Sequence, residues 1–217
     1  MRKINIESSQ AVSIDKLPKI GPEFFNRPTL LVAQELLGTV LVRQIDESIL
    51  TGRIVETEAY FGEDDPASHA HGGPTPRNRI MYGPAGFAYI YFIYGNHHCL
   101  NFVTEAEGFP AAVLIRALHP LAGVKIMRRN RGQANLADLT NGPGKLCLAL
   151  EIDKSLNGIS LYSDELHLVR GDYHWFEISN GPRVGVSQGK NRRWRFFLKE
   201  DPYVSNPIKE QIDETAP

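Results

Sequence analysis

The chain has 217 residues, 42% of them hydrophobic and 23% charged, with a formal net charge of -1. These values suit one globular domain with a sizeable core, and they exclude a uniformly basic nucleic-acid binder while allowing a one-sided basic surface. The two cysteines, Cys99 and Cys147, have no C-x-x-C partner, so a disulfide framework or cysteine zinc site is not expected and both read as reduced core residues. In chain order, residues 1–20 show no sustained periodicity and read as a loosely ordered arm, with 21–217 as a single domain. The opening lacks the apolar run of a signal peptide, and no stretch approaches the roughly 18 apolar residues of a membrane span, which points to a cytoplasmic protein.

"NRPTLLVAQELLG" predicts a helix capped by Asn26 or Thr29 and stopped by Gly38. "TVLVRQ" and "ILTGRIVETEAY" predict an antiparallel strand pair. From Gly62 to Gly86 glycine and proline recur so often that only a long irregular loop fits, and loops of this length are usually functional. "FAYIYFIYGNHHCLNFVTE" reads as a hairpin turning at Gly95-Asn96, "AAVLIRAL" as a further strand, and "LAGVKIMRRNR" and "NGPGKLCLAL" as helices. "LHLVRG", "RVGVS" and "WRFFLK" read as short strands. The sum is an α+β fold: a curved, mainly antiparallel, open-barrel-like sheet flanked by helices, with a protruding β-hairpin.

Within "IVETEAY" strand alternation puts Ile54, Glu56, Glu58 and Tyr60 on one face. Strand carboxylates ordinarily sit in water and pair with arginines, here Arg43 or Arg53. A carboxylate at the end of a strand that opens into a histidine-bearing loop is also well placed as a general base. His69 and His71, beside Asp64 and Asp65, have no fixed ligand spacing, so a stacking or hydrogen-bonding role is favoured over a metal. Tyr94 adjoins the hairpin turn, where an aromatic wedge can fill a gap in stacked bases. Arg77 with Arg79, Lys125 to Arg131, and Lys190 to Arg195 form basic clusters of the kind that contact phosphate.

Taken together, "RIVETEAYFGEDDPASHAHGG", "TPRNR", "YIYFIYGNHHCLN", "VLIRALHPL", "GPGKLC" and "RVGVS" resemble the alkyladenine (3-methyladenine, methylpurine) DNA glycosylase family. The likeness runs from "GPEFFNRP" near Gly21 to "DPYVS" near Ser205. The resemblance implies a monofunctional enzyme without cofactor or metal, which flips an alkylated or deaminated purine out of duplex DNA. Water would then hydrolyse the N-glycosidic bond. It places the catalytic glutamate on Glu58 with Arg116 beside it, and the walls of the base pocket on Tyr60, His69 and Tyr91. It places the purine-screening asparagine on Asn101, the intercalating tyrosine on Tyr94, and phosphate contacts on Thr75, Arg77 and Lys145. Glu56 is left structural, so that Glu56→Gln is expected to be nearly silent in chemistry. A monomer suffices for such a task. Two other readings stay open at this stage, a non-catalytic nucleic-acid binding module and a metal-dependent hydrolase using the loop histidines.

Overall fold

A computed structural model describes residues 17–93, 95, 97–171 and 176–205. Most of the arm expected over 1–20, the proposed wedge Tyr94 and the turn residue Asn96 lie outside the described residues. The organising element is the 14-residue strand β2 (Ser48–Phe61), which pairs along one edge with β5 (Ala111–Ala122). Its other edge is shared: β1 (Val40–Ile45) pairs with its first half, and β8 (Arg195–Leu198) with Glu56, Thr57 and Glu58. The two acids therefore sit where the sheet is covered on both edges.

Strand β3 (Ala88–Ile93) and β4 (His97–Val103) form the edge hairpin, β6 (Leu166–Val169) closes the other end, and β7 (Ile178–Gly181) extends β8. Every pairing is antiparallel, and the sheet curls into a half-barrel, as the α+β reading requires. One face carries the main core, including Ala59, Ile90, Leu100, Val113 and Ile115, packed against three helices. These are α1 (Thr29–Glu35), α2 (Val124–Asn130) and α3 (Pro143–Ala149).

Four local expectations are corrected. Neither Asn26 nor Thr29 caps α1 through its side chain; Glu105, from the loop after β4, accepts the Thr29 N–H at 2.6 Å and its hydroxyl at 2.8 Å. A remote carboxylate can satisfy the free N–H groups of a first turn as well as a local one. The strand predicted at "AAVLIRAL" runs on to Ala122, so "LAGVKIMRRNR" is helical only from Val124. "RVGVS" is not a strand but an irregular segment over the sheet. Finally, a bulge between Ile54 and Glu56 breaks strict alternation, and both Ile54 and Val55 enter the main core.

Candidate active site

The sheet's other face is built by alternation. Glu58 and Tyr60 of β2, Ala112, Leu114 and Arg116 of β5, Cys99 and Asn101 of β4, and Tyr89 and Tyr91 of β3 stand side by side through the registers Glu58↔Leu114, Asn101↔Leu114 and Tyr89↔Asn101. Above them lies a cavity of about 520 Å³, roofed by residues 66–69 of the long loop, Met81, Pro143 and residues 184–187. This volume is in the range of small-molecule sites.

The roof is fixed by buried polar groups. Asp65 and Arg183 form a bidentate pair (Nη2 to Oδ1, 2.7 Å) that ties the long loop to the "RVGVS" segment, and Arg183 also donates to the Ala59 carbonyl at 3.1 Å. Its guanidinium lies over the Tyr60 ring, 4.5 Å from the centroid. Asn78 closes the loop on itself, donating to the His69 and Gly73 carbonyls and accepting from the Thr75 N–H. Gly144 lets α3 reach β4, since a Cβ there would meet His97 Cγ at 2.8 Å.

Beneath the cavity Glu58 is fully buried and is not itself part of the lining. Its contacts are: Oε1 accepts from the Val184 N–H (2.7 Å), and Oε2 accepts from the Tyr60 hydroxyl (2.7 Å) and lies 3.3 Å from Arg116 Nη1. Burial pushes its carboxyl above the ordinary 4.5, with Arg116 and the two hydrogen bonds pulling the other way and the Glu56 charge adding to the rise. Glu56 is buried too, but saturated. Its Oε1 accepts from Arg116 Nε (2.7 Å), Arg195 Nε (2.8 Å) and Ser205 Oγ (2.9 Å), and its Oε2 from the Ser205 N–H (2.6 Å). Burial raises its pKa, but Arg116, Arg195 and the Ser205 N–H outweigh that and hold it below 4.5. The solvated strand pairs with Arg43 or Arg53 do not form; Arg43 pairs with Glu165 and Arg53 with Asp201.

Tyr60, His69, Tyr91, Asn101 and Arg116 all line the cavity. His69 sits edge-on to Tyr91, ring centroids 4.5 Å apart, with Nδ1 2.8 Å from the Tyr89 hydroxyl. Burial, and secondarily Arg77, lowers its pKa, so the ring is neutral near pH 7. Burial beside the Glu58 charge keeps the Tyr60 phenol protonated, and burial does the same for Tyr91. Asn101, 4% exposed, donates from Nδ2 to the Tyr89 carbonyl at 3.0 Å. Thr75 is exposed, Arg77 lies over the Tyr91 ring at 5.2 Å, and Lys145 at the start of α3 is bonded to Asp138 and Asn141. Arg195, counted from sequence in a basic cluster facing phosphate, is instead buried against Glu56. The loop histidines are separated by their bonds, His71 to the Glu63 carbonyl and His69 to Tyr89, and among the described residues no three His, Cys, Asp or Glu side chains could hold a metal.

Sequence reasoning missed Val184 and the Asp65–Arg183 pair. The only signal was "RVGVS" itself, whose apolar alternation imitates a strand while the Val184 N–H is spent on a carboxylate. An aromatic-walled cavity over a desolvated carboxylate–arginine pair suits a flat heteroaromatic ring. The profile of the methylpurine-DNA glycosylase family matches residues 23–202. Proteins bearing the name 3-methyladenine DNA glycosylase are similar over most of the chain: one from Desulfitobacterium hafniense is 46% identical over 201 residues, covering 87% of this chain and 99% of its own. A second from Clostridium acetobutylicum is 44% identical (86% and 97%), and one from Methanocella arvoryzae 47% identical (87% and 96%). The chain belongs to the methylpurine-DNA glycosylase family. It is a DNA glycosylase of the 3-methyladenine/methylpurine type.

Proposed function

We propose that the protein flips an alkylated purine nucleotide out of duplex DNA into the cavity and hydrolyses its N-glycosidic bond with a water activated by Glu58, leaving an abasic site. The observation that carries this reading is the placement of Glu58. Of the roughly four acceptor positions of a carboxylate, the Val184 N–H and the Tyr60 hydroxyl use two, and Arg116 adds an ion pair at 3.3 Å on Oε2. In the proposed complex the remaining acceptor position, on Oε1, takes the attacking water. That water's oxygen bonds to C1′ as the bond to the purine nitrogen breaks, the bonding electrons leave with the base, and Glu58 takes the proton. A purine alkylated at N3 or N7 is cationic, a good leaving group, and stacks favourably on electron-rich rings such as Tyr60 and Tyr91. Arg116 keeps the carboxylate oriented. Single-turnover release from duplex oligonucleotides carrying 3-methyladenine, 7-methylguanine, hypoxanthine or an etheno adduct tests the reading and gives the lesion range. Binding of each lesion without release of any would leave only a binding module.

DNA affinity is expected to fall steeply with salt despite the net charge of -1, because only one face meets the phosphates. Arg77→Ala should weaken lesion and plain duplex alike and reduce the salt slope by about one. Lys145→Ala should cost less, since Lys145 is already engaged by Asp138 at 3.0 Å. A salt-independent affinity would contradict a phosphate-tracking surface.

Asn101 is proposed to screen the purine's minor-groove edge, where guanine carries an N2 amino group and adenine does not. Its amide is fixed to the Tyr89 carbonyl, so it cannot readily swing away from a clash. Asn101→Ala should raise release of undamaged guanine while changing 3-methyladenine release little. A fall in 3-methyladenine release with no new guanine activity would make the amide a packing group.

A further inference from the structure

We infer that the C-terminal strap Asp201–Ser205 is part of the catalytic apparatus, and that Ser205 is a positioning residue that aims Arg116 at Glu58. This rests on the reading of Glu58 as the general base. The Arg116 guanidinium meets a partner at each of its three nitrogens: Nε donates to Glu56 (2.7 Å), Nη2 to Ser205 Oγ (3.1 Å), and Nη1 lies 3.3 Å from Glu58. The first two hold the planar fork in place, and the third points at Glu58 as a consequence. Ser205 completes the clamp twice over. Its hydroxyl accepts from Arg116 while donating to Glu56, and its N–H holds the other Glu56 oxygen at 2.6 Å.

The strap is itself anchored independently of the cavity. Asp201 accepts from Arg53 (3.1 Å) and the Tyr203 N–H (3.0 Å), its carboxylate lies 3.1 Å from His119 Nδ1, and Tyr203 and Val204 are buried in the main core. No strap residue lines the cavity. An effect of Ser205 on chemistry must therefore travel through Arg116 and Glu56, and it should appear in the chemical step and not in lesion binding.

The test is Ser205→Ala and Ser205→Thr, each compared with the parent for single-turnover release of 3-methyladenine, for the Kd of lesion duplex, and for thermal midpoint. The alanine variant is expected to release base about tenfold more slowly, as small misplacements of catalytic groups do, with Kd close to the parent's and a modest drop in midpoint, since Arg116 Nη2 loses its acceptor there. The threonine variant keeps hydroxyl and N–H and should recover most of the rate. A parental rate in Ser205→Ala, or a loss that tracks a lowered midpoint and is not recovered by threonine, would overturn the inference. Failure of the underlying reading looks different: Glu58→Gln would then keep the parent's rate whatever Ser205 does.

Discussion

Glu58→Gln is expected to slow base release by about 10²–10⁴-fold or more, the contribution of a general base, while lesion DNA still binds. The amide keeps the shape and its carbonyl can still accept the Val184 N–H, but it cannot take a proton from water. Base release in the parent should rise with pH as Glu58 ionises, with an apparent pKa above the ordinary 4.5 because burial opposes the charge. A raised carboxyl pKa contributes stability below 4.5 that is lost as pH rises through the folded value. Ionised Glu58 thus weakens the fold at neutral pH, and the glutamine variant should melt no lower than the parent there. Retained base release in a folded Glu58→Gln protein would remove Glu58 from the mechanism.

Glu56→Gln should behave in the opposite way. From sequence the substitution is expected to be nearly silent in chemistry, but the carboxylate proves to be the shared countercharge of two buried arginines, Arg116 and Arg195. Removing one partner of such a cluster leaves uncompensated buried charge, and a loss of about 3–5 kcal/mol is expected. The lowered pKa of Glu56 makes its contribution present above 4.5 and lost as pH falls through the folded value. Parent stability should therefore decline in acid, and the variant, weaker at neutral pH, should show less of that decline. Because Arg116 also loses its clamp, whatever folded variant remains should release base more slowly. Denaturant unfolding at neutral and acid pH checks both signs. An unchanged midpoint would contradict a stabilising role for the Glu56 charge.

Much of this site was legible because strand geometry is local. Alternation alone put Glu58 with Tyr60 on a common face, and the glycine-rich stretch marked the loop that roofs them. The illegible parts depend on partners distant in sequence. Nothing in "RIVETEAY" reveals that β8 covers the free edge of Glu56 and Glu58, with Arg195 lying 139 residues from Glu56. That coverage turns an ordinary solvated acid pair into two buried carboxylates of opposite character. One is saturated by four donors, while the other accepts two hydrogen bonds and one ion-pair contact. The same non-locality hid Glu105 at the start of α1 and Val184 above Glu58. The bulge at Ile54 could not be read either, since it depends on register with β5.

The most direct measurement is the release of free 3-methyladenine from a duplex oligonucleotide incubated with the purified protein in excess chelator, followed by analysis of the strand before and after alkali. A glutamate-activated water predicts release at the same rate with and without chelator. The strand should stay intact until alkali cleaves it at the abasic site. Absence of release, or release that chelator abolishes, would contradict the account.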